Sequence, residues 1–124
     1  MTIAEVDFDR VRSLASRAAR EHVSISPTAA TRWFAVQDGE LVRGVAGLLA
    51  LAGGALRIKG VWVEPEQRGR GLGDALVQHL IALARDECAS SIEAYAHNPG
   101  YYLAQGFRSI GQRPNGATRV RKVL

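Results

Sequence analysis

Residues 61–73 read VWVEPEQRGRGLG and lead from an apolar strand through a glycine-rich loop into a helix. Three glycines alternate over 69–73, where the helix begins, and Arg68 and Arg70 add positive charge. The first N–H groups of a helix lack partners within it, and the helix dipole places partial positive charge there. Because glycine lets the backbone approach a ligand closely, the segment predicts a loop that binds phosphate.

The loop fits neither of two common nucleotide-binding motifs. A Walker A loop ends in Gly-Lys-Ser/Thr, whereas this loop continues as Gly73-Asp74-Ala75. A dinucleotide-binding fingerprint needs the spacing Gly-x-Gly-x-x-Gly in a first βαβ unit, whereas these glycines alternate and lie in the middle of the chain. The segment therefore predicts a phosphate site of another kind.

The segments before the loop predict an antiparallel meander of three strands. The strands are runs rich in apolar and β-branched residues, over 31–37, 41–50 and 55–63. Asp38-Gly39 and Gly53-Gly54 supply the turns between them. Ahead of the meander the pattern predicts an edge strand over 2–6, a helix over 7–22 and a loop over 23–30. The polar face of that helix, expected to be solvated, carries Arg10, Arg17, Arg20 and Glu21.

The segments after the loop complete a mixed fold. A helix over 71–87 has a wide apolar face suited to packing on a sheet. It is followed by a strand over 91–96, a short helical segment over 99–105, and a hairpin of strands 107–111 and 118–123. The strand–helix–strand unit over 55–96 is long enough for one right-handed parallel crossover. The predicted class is α+β or mixed α/β, with a mostly antiparallel sheet, one parallel βαβ unit and flanking helices.

Length and composition predict one globular domain over residues 1–124. The hydrophobic fraction of 47% and the charged fraction of 23% are wrong for a disordered chain. The longest apolar run, 45–52, is far shorter than the about 20 residues of a membrane span, and the N-terminus lacks signal-peptide features. The single cysteine, Cys88, predicts neither a disulfide nor a cysteine-cluster metal site. We therefore expect a cytoplasmic protein with no metal and no membrane partner.

The charge balance is basic and consists almost entirely of arginine. The chain carries 14 arginines and 2 lysines, with a net charge of +4. A basic balance suits an anionic partner, which could be a phosphate-bearing cofactor or a nucleic acid. An excess of four charges is also compatible with no meaning beyond solubility.

Two motifs resemble those of the GCN5-related N-acetyltransferase (GNAT) superfamily. Its signature, Arg/Gln-x-x-Gly-x-Gly/Ala, is matched by residues 68–73, and the strand before it ends in the Val-x-Pro pattern at 63–65. A second family motif places a Tyr four residues before a Gly-Phe pair, as Tyr102 stands before Gly106-Phe107. The order of predicted elements over 31–123 also resembles that family.

The resemblance implies acetyl-coenzyme A as cofactor and a small-molecule or protein amine as acetyl acceptor. It implies that the loop backbone holds the pyrophosphate and that the strand at 61–63 splays from the strand at 91–96 to admit the pantetheine arm. Gly60 fits a β-bulge there, whose N–H groups would form an oxyanion site. Asn98 either contacts the cofactor arm or caps the short helix. The implied cofactor-binding residues are Val61, Trp62, Val63, Arg68, Gly69, Arg70, Gly71, Leu72, Gly73 and Asn98.

The resemblance implies that Tyr102 is the general acid that protonates the leaving thiolate. A phenol is a reasonable proton donor to a thiolate. The alternative is that Tyr102 is a core aromatic under the final hairpin, and its neighbour Tyr101 is the second candidate for the acid.

The general base is less evident. Residues 56–62 lack the glutamate that some family members carry there, so Glu93 and His97 are the candidates, with a water chain as the alternative. Imidazole titrates near neutral pH, which suits His97, although it could also be a structural strand-end histidine. Glu93 could instead be a solvent-facing or ion-paired strand residue. The family usually has two helices between its first two strands, and here only the loop over 23–30 follows the first helix. Because the second helix often forms one wall of the acceptor site, we expect an open acceptor cleft or one completed by a partner chain in a homodimer.

Two other functions are compatible with the same fold. The basic tail could serve a nucleic-acid-modifying enzyme like the phage proteins of this fold that modify DNA bases. That tail contains Arg113, Arg119, Arg121 and Lys122. The chain could also be a non-catalytic subunit that binds coenzyme A, although intact motifs argue against this.

Overall fold

The computed structural model describes residues 1–28 and 30–124, and within them the chain forms a seven-stranded sheet with three α-helices. The strands are β1 (Thr2–Val6), β2 (Thr31–Asp38), β3 (Leu41–Ala50), β4 (Ala55–Val63), β5 (Ser91–Ala96), β6 (Arg108–Gln112) and β7 (Thr118–Val123). The helices are α1 (Ala15–Ala19), α2 (Leu72–Asp86) and α3 (Gly100–Leu103). Single 3₁₀ turns lie at Phe8–Arg10, Arg12–Leu14, Ala52–Gly54 and Pro65–Gln67. None of the helices in these residues is long and apolar enough to cross a membrane.

The sheet has the topology expected of the mixed class. Its strand order is β1-β2-β3-β4-β5-β7-β6, and every neighbouring pair is antiparallel except β4 and β5. The parallel pair is joined through α2, which is the crossover predicted over 55–96. The predicted fold class and the meander of β2, β3 and β4 are therefore confirmed.

The sheet is covered on its two faces by different elements. On one face α2 buries five apolar side chains: Leu76, Val77, Leu80, Ile81 and Ala84. On the other face a second cluster combines the N-terminal turns with sheet residues: Val11, Leu14, Ala18, Ile25, Trp33, Ala35, Val45 and Trp62. Apolar burial on both faces is what fixes the register of the central strands, because a slip of one residue would exchange the two clusters.

The predicted continuous helix over 7–22 is wrong. Two 3₁₀ turns precede α1, which spans only Ala15–Ala19. Phe8, Val11 and Leu14 recur at three-residue steps, which is the repeat of a 3₁₀-helix. In addition, Asp7 makes no capping hydrogen bond from its side chain. Packing of these residues against the sheet, where Phe8 stacks on Trp33 at 5.8 Å, outweighs the α-helical pattern.

The other predicted boundaries agree to within about a turn. α2 begins one residue later and ends one residue earlier than predicted, and α3 is a single turn. In the predicted loop over 23–30, the described residues 23–28 and 30 form neither helix nor strand, and Ala29 lies outside the described residues.

A stability prediction follows from the end of α2. Cys88, just after the helix, has a φ of +59°, a conformation that costs a residue with a Cβ about 1–2 kcal/mol. Cys88→Gly removes that cost at the expense of a more flexible unfolded chain, so we expect the unfolding free energy to rise by about 0.5–1 kcal/mol. Urea denaturation measures the change. Cys88→Ala keeps the Cβ and should leave stability nearly unchanged, and equal effects of the two variants would contradict the interpretation.

Candidate functional site

The parallel strands β4 and β5 separate along their length and open a cleft. They are paired from Ala55 with Ser91 to Ile58 with Ala94. Beyond that point β4 stays paired with β3, and β5 stays paired with β7. The gap between their carboxyl ends leads into a cleft of about 1340 Å³. The splay expected from the sequence is therefore present.

A β-bulge lies on β4 at the mouth of this gap. Trp62 pairs with Val45 and Lys59 pairs with Gly47, so two residues of β4 oppose one residue of β3. Gly60, within the bulge, has a φ of +62°. A Cβ on Gly60 would lie 3.0 Å from the Ser24 carbonyl oxygen and about as close to the Trp33 ring, so only glycine fits.

The glycine loop forms an open turn before α2. Gly69 and Gly71 have φ values of +79° and +78°, and no atom lies within 4 Å of the position that a Cβ on either residue would occupy. Gly71 is the N-cap of α2 and no side chain caps the helix. The first N–H groups of α2 and the open space beside Gly69 and Gly71 thus form a cradle that can accept an anionic group.

The third glycine of the loop has a different role. A Cβ on Gly73 would lie 3.2 Å from the Tyr101 hydroxyl, so this glycine allows α3 to approach the first turn of α2. The hydroxyl of Tyr101 is buried and has no hydrogen-bond partner among the described residues. Burial, followed by the charge of Asp74, raises the pKa of Tyr101.

The two arginines of the loop are used differently. Arg68 turns back, with its Nε donating to the Val63 carbonyl oxygen at 3.0 Å and its Nη2 to the Glu21 carboxylate at 2.8 Å. Arg70 is exposed and makes one long contact, 3.4 Å, to the Gln67 side chain. Arg68 therefore fixes the loop, and Arg70 keeps a solvent-exposed charge next to it without lining the cleft.

Glu21 lines the cleft and Arg17 supports the segment beside it, and sequence reasoning assigned neither residue such a role. Both lie on the face that was predicted to be solvated; they keep much of their exposure there, but each also makes ion pairs with the segment after β4. Glu21 accepts a hydrogen bond from Trp62 Nε1 at 3.0 Å, and Arg68 and Trp62 hold the pKa of Glu21 below its usual range. Arg17 Nη1 donates to Glu64 at 2.7 Å. These contacts join residues more than 40 positions apart, so no local pattern indicates them.

Tyr102 has a buried ring and lines the cleft. The ring packs edge-on against Phe107 and Tyr101, with centroids 5.3 and 5.2 Å apart. Burial raises the pKa of Tyr102 to about 12. Tyr102 is thus buried, as a core aromatic would be, and it also lines the cleft, as a general acid must.

The two candidate bases lie in different surroundings. Glu93 is 1% exposed and is held by Arg119 at 3.1 Å, Arg57 at 3.2 Å and Arg121 at 3.3 Å. Burial alone raises the pKa of Glu93, but the hydrogen bonds from the three arginines outweigh it and the net direction is down. Glu93 is therefore an ion-paired strand residue, which was the alternative to its role as a base. A carboxylate with a lowered pKa is a poor base. His97 is exposed and lines the cleft.

The remaining predicted site residues lie around the same cleft. Val61 and Val63 pack toward the α2 core, and Trp62 packs into the second cluster. Asn98 is exposed and lines the cleft, and α3 has Pro99 as its N-cap with no capping side chain. Capping is therefore not what Asn98 does here. In the residues that the structure describes, no group of three or more His, Cys, Asp or Glu side chains could hold a metal.

The splayed parallel strands and the open glycine loop at the start of α2 form one cleft that has room for an anionic ligand. Residues 3–107 match the model of the acetyltransferase (GNAT) family, and the chain belongs to that family. No curated protein matches the sequence.

Solved structures share the fold at low sequence identity. An aminoglycoside 6'-N-acetyltransferase complexed with coenzyme A is 16% identical over 99% of this chain and 97% of its own, with a TM-score of 0.84. An IAA acetyltransferase from Bacillus cereus is 19% identical over 99% of both chains, with a TM-score of 0.79. Rv2747 from Mycobacterium tuberculosis, solved in complex with CoA, is 16% identical over 100% of this chain and 99% of its own, with a TM-score of 0.79.

The arrangement around Glu93 predicts a pH-dependent stability. The fold lowers the pKa of Glu93, so its carboxylate contributes its full stabilisation at any pH above the ordinary pKa of a glutamate, about 4.3. This stabilisation is lost as the pH falls from there through the lowered pKa of the folded protein. Glu93→Gln should lower the unfolding free energy at pH 7 by about 1–3 kcal/mol, since the arginines are partly exposed.

Urea denaturation at pH 7 and at about pH 3 measures this effect. The difference between the unmutated protein and Glu93→Gln should shrink at the lower pH. Glu40→Gln, at an exposed residue near the first hairpin turn, is the matched control and should have almost no effect. A difference that stays constant with pH would contradict the interpretation.

Proposed function

We propose that the protein is an acetyl-coenzyme A-dependent N-acetyltransferase that transfers the acetyl group directly to an amine acceptor. The observation that carries the proposal is the single cleft in which the splayed strands, the open glycine loop and Tyr102 meet. Two of the solved structures with this fold contain coenzyme A, which supports the choice of cofactor.

The cleft fits coenzyme A by its shape and its donors. The backbone N–H groups of residues 68–73 would hold the pyrophosphate, with Arg70 adding charge, because the space beside Gly69 and Gly71 is open. The backbone of residues 61–63 would bind the pantetheine arm in the gap beside β5, with Asn98 at its edge. Bound there, the cofactor supplies an acetyl group activated as a thioester.

Tyr102 holds the proton that the leaving sulfur needs. Its raised pKa keeps the phenol protonated at neutral pH, and the packing of its ring fixes the direction of the hydroxyl. Tyr102 would give its proton to the sulfur as the carbon–sulfur bond breaks, and the phenolate left behind would recover a proton through the cleft before the next turnover. The Gly60 bulge offers N–H groups to the carbonyl oxygen on which negative charge develops.

His97 takes the proton that the acceptor amine loses. It lies in the cleft and is exposed, so it can exchange that proton with solvent. The ion pairs of Glu93 leave it without access to the acceptor. A chain of water molecules is the alternative route for the same proton, and removal of the His97 imidazole distinguishes the two routes.

The amine acceptor is favoured over nucleic acid by the state of the basic tail. Arg119 and Arg121 are bound to Glu93, and Lys122 Nζ donates to the Gln105 carbonyl oxygen at 3.1 Å. Three of the four tail cations thus have partners within the fold. That the chain is a non-catalytic subunit is a separate hypothesis, and a thiol-release assay with amines tests it directly. A homodimer that completes the cleft remains a prediction.

The cofactor site is tested by adding a carboxylate to the glycine loop. Gly71→Glu should raise the dissociation constant for coenzyme A at least about tenfold in calorimetry, because the new charge repels the pyrophosphate. The variant also strains a positive φ, so the matched control is Gly53→Glu. Gly53 has a φ of +77°, equally open space and a position at the opposite end of β4. Equal affinities of the two variants would remove the assignment of the loop.

The general acid is tested by two conservative substitutions. Tyr102→Phe keeps the ring and its packing, so the melting temperature and coenzyme A affinity should stay nearly unchanged while kcat falls at least about tenfold. Tyr101→Phe removes a hydroxyl that packs against Gly73 and should reduce kcat much less. If the two variants lose the same activity, or if Tyr102→Phe is fully active at neutral pH, Tyr102 is only a core aromatic.

A further inference from the structure

A cluster of arginines lies on the sheet face opposite α2, beside the cleft. Strand register brings its members together, since Arg57 pairs with Glu93, Glu93 with Arg121, and Tyr95 with Arg119. Directly paired residues point to the same face of a sheet. Arg113, just after β6, completes the group, which we call the arginine cluster: Arg57, Arg113, Arg119 and Arg121, around Glu93 and Tyr95.

The charges of the arginine cluster do not balance. Glu93 is the one carboxylate shared by three guanidinium groups, all within 3.3 Å of it. The Nε atoms of Arg57, Arg119 and Arg121 are shielded from solvent and have no hydrogen-bond partner among the described residues. A single carboxylate compensates one of three positive charges, so the cluster keeps a net positive charge beside the cleft.

Arg113 is held against the ring of Tyr95 but has no acidic partner in the described part of the chain. Its Cζ lies 4.4 Å from the centroid of the Tyr95 ring, and the Cζ of Arg57 lies 4.7 Å from the same ring. Stacking on an aromatic ring orients a guanidinium and leaves its N–H donors free for a carboxylate or phosphate. Arg113 therefore lies on the tyrosine with its donors free, whereas Arg57 lies on the same ring and also donates to Glu93.

These side chains face the same space as the proposed chemistry. Arg57, Tyr95 and Arg113 line the cleft that also contains Tyr102 and His97. Lys59 adds a further cation to the same lining. The two acidic side chains of the lining lie elsewhere, since Glu21 is bound to Arg68, and Asp74 belongs to the first turn of α2.

We propose that the acceptor is a small amine that also carries an anionic group, a carboxylate or a phosphate. Arg113 and Arg57 bind that group beside Tyr95, while the amine of the same molecule points toward Tyr102 and His97. This inference rests on the proposed acetyltransferase function and adds the class of acceptor to it.

Matched pairs of acceptors test the proposal in a thiol-release assay. One pair is 5-aminopentanoate and its carboxamide, in which the carboxylate is remote from the amine. The other pair is O-phosphoethanolamine and ethanolamine. The first pair therefore tests a carboxylate and the second pair tests a phosphate. The anionic member of at least one pair should have a kcat/KM about tenfold higher or more, as expected for charge-assisted hydrogen bonds.

Variants connect that preference to the arginine cluster. Arg113→Gln should raise KM for the anionic acceptor roughly tenfold with kcat nearly unchanged, and should bring the ratio within each pair close to one. Arg113→Lys should retain part of the preference. Arg85→Gln, on the exposed side of the last turn of α2, removes the same charge away from the cleft and should leave the ratio unchanged.

Five results would overturn the proposal, and they lead to four different conclusions. Equal use of both members of each pair, or an unchanged ratio in Arg113→Gln, removes the anionic acceptor while leaving an acetyltransferase. A loss of coenzyme A affinity in Arg113→Gln by calorimetry assigns the cluster to the cofactor instead. Preference for duplex DNA with a steep salt dependence assigns it to nucleic acid. Absence of coenzyme A binding, together with no thiol release for any amine, shows that the acetyltransferase function itself has failed.

Discussion

Parallel pairing between β4 and β5 lasts for only four residue pairs, and the site depends on where it stops. Two residues after the last pair, the Gly60 bulge changes the course of β4, and Trp33 and the Ser24 carbonyl oxygen leave no room there for a side chain. A bulge leaves backbone groups out of the strand ladder and increases the local twist. The cleft is thus a consequence of strand geometry rather than of a loop that could close or open.

Ion pairs then fix the loop that follows β4. Glu64 is buried and receives hydrogen bonds from Arg17 at 2.7 Å and from Arg43 at 3.2 Å. Arg68 is tied to Glu21, which Trp62 also holds. Arg17 and Glu21 therefore link the N-terminal part of the chain to the start of the segment between β4 and α2, at Glu64, and to its middle, at Arg68. This linkage matters because a cradle made of backbone N–H groups binds well only when its geometry is set before the ligand arrives.

The parts of the fold that could be predicted are those specified by neighbouring residues. The meander was predicted from turn dipeptides such as Asp38-Gly39 and from the apolar and β-branched composition of the strands. The crossover was predicted from the glycine loop and the apolar face of α2. The first helix was mispredicted because tertiary packing at a three-residue repeat overrode the α-helical pattern. Within the site, the arginines that hold Glu21 and Glu93 escaped prediction because they lie 26 to 47 residues away from those carboxylates in sequence. Strand register and sheet order bring those partners together, and neither is contained in a local pattern.

Glu93 shows why the chemistry of a carboxylate depends on its neighbours. A glutamate on the strand beside the cofactor cleft is a natural candidate for a base, but a base must be able to accept a proton near neutral pH. Three guanidiniums lower the pKa of Glu93, and burial removes it from the cleft, so it is unsuited to that task. The same contacts reduce the mutual repulsion of Arg57, Arg119 and Arg121 and let them lie side by side. Because one negative charge cannot neutralise three positive charges, the carboxylate gathers the arginines without cancelling them, and the wall of the cleft remains cationic.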